Sequence, residues 1–190
     1  MKKATAKAIR FLKKPGIRKY FAFGFFMCML FMIIFFMTPL LFILVLLVMN
    51  GMLGFFMRPF NTLGIGLELG IFTAVVASCA YGPVVGVTGG LIVLLAKLMM
   101  QGSFSMRGFI LIPSHIIIGV LAYYIFDPAV VNITSVGIGF TIFHSVFTSI
   151  LSFFFLGGNL GKIMIFVFTN IPWNMFLFTY FAPKLVQYLL

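Results

Sequence analysis

The 190 residues are 63% hydrophobic and only 8% charged, with 27 Phe and 13 Met against two acidic side chains. That balance leaves no room for a soluble catalytic domain and places the chain in a bilayer. The formal net charge of +11 does not mark a nucleic-acid binder, because Lys2, Lys3, Lys7, Arg10, Lys13, Lys14, Arg18 and Lys19 concentrate it at one terminus.

Residues 1–20 read as a basic N-terminal segment held in the cytoplasm by the positive-inside rule, with affinity for anionic lipid headgroups. The apolar run that follows is too long for a cleaved signal peptide and lacks a small-residue cleavage site. Residues 21–190 read as one integral membrane domain. Cys28 and Cys79 both lie in apolar segments, where a lone thiol serves as a small hydrophobe. No disulfide framework, metal cluster or cofactor motif is indicated.

Residues 21–57 form one apolar block, interrupted at Thr38–Pro39 and at Asn50–Gly51. It is too long for one straight crossing, so it holds either two short spans or one span after an interfacial helix. "RPFNTLG", 58–64, has the composition of a loop. Two spans follow at 65–81 and 83–100, divided by Gly82 and Pro83, where the missing amide ends or kinks the helix. Further spans are predicted at 109–126, 135–156 and 163–182, separated by "QGSFSMRG", "DPAVVNIT" and "GGNLGK". The fold class is therefore all-α, a polytopic membrane bundle of six or seven transmembrane helices. Seven crossings put Arg58, Lys97, Arg107 and Lys162 on the cytoplasmic side, as the positive-inside rule prefers. Six put them outside.

Three patterns stand out. In "AVVASCAYGPVVGVTGG", 74–90, the small residues Ala74, Ser78, Gly82, Gly86 and Gly90 recur every four positions. Such a line lets helices meet closely in lipid, either inside this chain or against helices of a partner subunit. Within 135–156, Thr141, His144, Ser145, Thr148, Ser149 and Ser152 recur at three and four; they serve interhelical hydrogen bonds or line a polar cavity. In "TNIPWNMFLFTYFAPK", 169–184, Asn170 and Asn174 share a helical face and the single Trp173 lies beside them. That set suits either an interfacial belt or the recognition of a small planar ligand. Glu68 is the only acid inside a predicted span. Such a carboxylate is a functional candidate by default, or else marks a position at the membrane surface.

"LELGIFTAVVASCAYGPVVGVTGGLIVLLAK" and "FTNIPWNMFLFTYFAPKLVQYL" together resemble the substrate-binding S component of energy-coupling factor (ECF) vitamin transporters. The likeness rests on Tyr81, Gly82, Pro83, Gly86 and Gly90 in the turn between two helices and on Pro172 and Asn174 in the last one. Leu94, Leu95 and Ala96 stand where such proteins often carry an acidic residue after the glycines. The resemblance implies a six-helix bundle that binds one small molecule near its outer face. Asn61, Glu68, Arg107, His115, Asn170, Trp173 and Asn174 are the ligand-binding candidates by position. It also implies partners: a membrane coupling subunit and an ATPase pair, since this chain has no phosphate loop. An intramembrane enzyme is not expected, because the ionisable inventory within the membrane domain is small and H-E-x-x-H is absent. The alternative is a scaffolding membrane protein similar to the cell-shape protein MreD.

Overall fold

A computed structural model describes residues 24, 39–102, 106–157 and 159–189. The basic segment 1–20, the first half of the 21–57 block and Cys28 lie outside the described residues. Among those described the chain is all-helical. Five long helices are apolar and long enough to cross a membrane: α1 (Pro39–Met57), α3 (Pro83–Gln101), α4 (Met106–Ile125), α5 (Ile133–Leu156) and α6 (Leu160–Tyr180). The protein is a multi-pass helical membrane bundle. Two shorter helices complete it, α2 (Gly70–Tyr81) and α7 (Ala182–Leu189).

The helix ends follow from local chemistry. Asn132 and Asn159 cap α5 and α6, each accepting the amide two residues on, Thr134 and Gly161, at 2.9 Å. Between α2 and α3, Gly82 takes φ 93° and ψ 166°, a backbone region open only to glycine. Pro83 then starts α3 at a position where a missing amide costs nothing. The two helices fold back on each other at that corner.

The span predicted at 65–81 does not exist as such. Arg58–Leu63 form a 3-10 turn ended by Gly64 at φ 74°, residues 65–69 run irregularly, and only from Gly70 does the chain become helical. A 12-residue helix is about 18 Å long, well short of the ~30 Å hydrocarbon core. Irregular backbone is tolerated at membrane depth only where protein groups satisfy it, and here they do. Leu69 donates its amide to Asn50 Oδ1 at 2.9 Å and Gly66 donates to Thr169 Oγ1 at 2.8 Å.

This short helix is the hub of the bundle. α1, α3, α4, α5 and α6 follow one another around α2, and α7 packs against it as well. Every residue of α2 from Gly70 to Ser78 is buried. Its contact with α3 is made by the small-residue line. A Cβ on Gly90 would lie 2.7 Å from Ala74 Cβ, and one on Gly86 would lie 2.7 Å from the Ala74 carbonyl and collide with Ser78. Ala74, Ser78, Gly86 and Gly90 are thus buried between two helices of the same chain, while Gly82 marks the turn. Ser78 reaches further, donating its hydroxyl to the Gly119 carbonyl of α4. At the far end, Phe72 of α2 packs on Phe178 of α6 with ring centroids 5.3 Å apart.

Candidate functional site

The irregular loop 65–69 enters the bundle and carries Glu68 to full burial. Three groups face its carboxylate. His144 Nε2 of α5 lies 3.2 Å from Oε1, and Lys97 Nζ of α3 lies 3.9 Å from Oε2. His115 of α4 completes the group, its ring edge-on to that of His144 with centroids 5.1 Å apart. The His144 approach is oblique, so neither carboxylate oxygen has an aligned donor. A lone carboxylate in such a place would be prohibitively costly; a cationic neighbour makes it tenable.

His115 and His144 are held by their own hydrogen bonds. His115 Nδ1 lies 2.9 Å from the Leu111 carbonyl. A carbonyl only accepts, so Nδ1 carries the proton and Nε2 is a bare acceptor. That Nε2 is buried without a partner and sits over Gly70, where a Cβ would come within 2.6 Å of it. His144 Nδ1 lies 2.8 Å from Ser114 Oγ, and Ser114 Oγ is 2.7 Å from the same Leu111 carbonyl. The order hydroxyl, imidazole, carboxylate is also that of a hydrolytic triad. Ser114 is fully buried, however, with its hydroxyl within reach of both His144 Nδ1 and the Leu111 carbonyl of its own helix, which suits a proton relay rather than a nucleophile.

The last helix holds the loop. Asn170 Nδ2 donates to the Gly66 carbonyl at 2.8 Å while Asn170 Oδ1 accepts from Ser145 at 3.2 Å. Trp173 Nε1 donates to the Glu68 carbonyl at 3.1 Å. Asn174, one turn on, donates to the Asn170 carbonyl and leaves Oδ1 buried and unpaired. Pro172 sits inside α6 between these residues. The structure therefore brings Glu68, His115, Asn170 and Trp173 to one region, with Asn174 adjoining. Asn61 falls in the 3-10 turn and Arg107 in the first turn of α4, and the side chains of both lie outside the described residues.

His115, His144 and Asn170 stand at the midpoints of α4, α5 and α6. The cluster is therefore deep in the bundle and not at the helix starts, where a ligand near the outer face was expected. Glu68 itself is fully buried and meets His144 at the midpoint of α5. Lys97, counted above among the loop charges that set orientation, is 5% exposed and is Glu68's counter-charge.

Sequence reasoning left four participants out of the ligand-binding candidates, among them His144, read only as one of the polar residues of 135–156. Lys97 carried a readable signal, since charged residues inside spans tend to pair with one another and only one acid was available. Ser114 was visible only as a polar residue beside His115. Asn50 looked like an interruption of an apolar run, yet it bridges α1, the loop and α3, accepting from Leu69 and donating to the Val93 carbonyl at 2.8 Å. In α5 the serines and threonines divide: Thr141, Thr148 and Ser149 bond back to carbonyls of their own helix, and Ser145 reaches α6. No family model, curated protein or solved structure matches this chain.

Proposed function

We propose that this chain is the substrate-binding subunit of an ECF-type transporter, capturing a small vitamin-like molecule for uptake. It would sit in the cell membrane with its N-terminus in the cytoplasm and work with a membrane coupling subunit and an ATPase pair. The observation that carries the reading is convergence: Glu68, His115, Asn170 and Trp173, with Asn174 beside them, come from a loop and two helices into one buried polar region. A purely structural bundle has no need of a carboxylate and two imidazoles at mid-depth. Buried acceptors in this region lack donors: both Glu68 carboxylate oxygens, His115 Nε2 and Asn174 Oδ1. They favour a ligand that presents N–H groups, and Trp173 offers such a ligand a flat face.

The purified full chain, titrated with a panel of vitamins and related nitrogen heterocycles, tests this. A cognate ligand raises the unfolding midpoint and changes Trp173 emission, because ligand binding to the folded state alone stabilises it by mass action. A panel without any shift in either signal counts against capture. A scaffolding role of the MreD type is the second reading. It is favoured by how far the polar groups satisfy one another, as Asn50 does with Leu69 and Val93 and Ser145 with Asn170.

A further inference from the structure

We propose that Glu68, His144, Ser114 and His115 form a proton-binding site, in which His144 takes up one proton without any heavy atom changing partner. The argument is one of proton placement. Ser114 has a single hydroxyl proton and two neighbours within hydrogen-bond distance, His144 Nδ1 at 2.8 Å and the Leu111 carbonyl at 2.7 Å. When His144 is neutral, its Nε2–H faces Glu68 and Ser114 donates to Nδ1. When a proton arrives, Nδ1–H donates to Ser114 Oγ, and the serine turns its own proton to Leu111.

Both arrangements use the same atoms at the same distances. Leu111 is not left wanting in either, because it accepts from His115 Nδ1 at 2.9 Å throughout. The hydroxyl is thus a two-position rotor that follows the charge on the imidazole. Hydroxyl protons turn freely about the Cβ–Oγ bond, so the exchange needs no rearrangement of packing.

The surroundings favour a single uptake. Among the described residues, the charged and titratable groups gathered about the carboxylate that faces His144 are Lys97 from α3 and His115 from α4. α6 contributes the uncharged Phe166 ring, with centroids 6.0 Å apart. Glu68 and Lys97 cancel, so the cluster is neutral before uptake and carries one positive charge after it. His115 is not placed to share the load, since its Nδ1 proton is committed to Leu111 and a second proton on Nε2 would find no acceptor there. The site holds whether or not the chain captures a substrate.

The chain has two histidines, so nitrogen-15 histidine labelling of the full chain in lipid nanodiscs gives a two-imidazole spectrum. As the pH is lowered through the range over which the chain stays folded, one imidazole is expected to pass from the neutral to the doubly protonated signature with a single midpoint. The other keeps its Nδ1–H signature. Ser114→Ala removes the acceptor for Nδ1–H in the charged state and the donor to Nδ1 in the neutral one; because the charge-assisted bond is the stronger of the two, proton binding weakens by up to about tenfold. A spectrum that stays unchanged across the range overturns the proposal, and so does a midpoint that Ser114→Ala leaves in place. The wild-type spectrum decides the matter by itself if that variant fails to fold.

Discussion

Trp173 donates its indole N–H to the backbone carbonyl of Glu68, the residue whose side chain meets Lys97 and His144. The chain's single tryptophan therefore rests on the loop that carries the buried acid. One turn of α6 earlier, Asn170 holds the same loop by the Gly66 carbonyl. The two bonds lock an irregular segment to α6 and give that segment a built-in optical reporter.

Asn170→Leu keeps the volume and deletes both amide bonds, leaving the Gly66 carbonyl and the Ser145 hydroxyl to find other partners. The expected cost is about 1–3 kcal/mol, the usual penalty for stranding a buried polar group. Thermal unfolding in detergent micelles measures it. Emission from Trp173 should move to longer wavelength as the loop loosens.

Asn50→Leu strands the Leu69 amide and removes a donor from the Val93 carbonyl. A loss of similar size, about 1–3 kcal/mol, follows from the same reasoning. Hydrogen exchange locates the effect: the Leu69 amide, protected in the wild type, exchanges faster in the variant, while amides in the middle of α5 keep their protection.

The glycines separate into three kinds, and alanine substitution tells them apart. Gly82→Ala has nothing within 4 Å of the new Cβ, yet φ 93° is strained for any side chain, so it costs about 1–3 kcal/mol through the backbone alone. Gly90→Ala costs through packing, because its Cβ would lie 2.7 Å from Ala74 Cβ and force α2 and α3 apart. Gly139→Ala meets open space inside α5 and should gain up to about 1 kcal/mol of helix propensity. Unfolding midpoints of the three variants in the order Gly139, wild type, then the other two would check the assignment.

The all-helical membrane fold was legible because apolar runs of spanning length leave few alternatives for a backbone in lipid. Part of the candidate cluster was legible too: Glu68, His115, Asn170, Trp173 and Asn174 are polar residues in apolar surroundings, and all come to the region of the loop. The loop itself was hidden. Residues 65–81 have the hydropathy of a span, but hydropathy does not register that Asn50 and Thr169, distant in sequence, supply the hydrogen bonds that let 65–69 abandon the helix. Lys97 was misplaced for a related reason, since its partner lies in that same irregular segment. The final turn was also misread. The predicted span 163–182 begins three residues earlier and ends at Tyr180, and a separate amphipathic helix, α7, tucks Ala182, Leu185 and Val186 against the core.

The central claim is that Glu68 and Lys97 form one neutral unit inside the bundle, and a double-mutant cycle of thermal unfolding tests it most directly. Glu68→Gln or Lys97→Met alone leaves an uncompensated buried charge and is expected to cost about 3–5 kcal/mol. The double variant, which buries neither charge, should recover most of that loss and unfold near the wild-type midpoint. Losses that simply add, with the double variant less stable than either single one, would contradict the pairing.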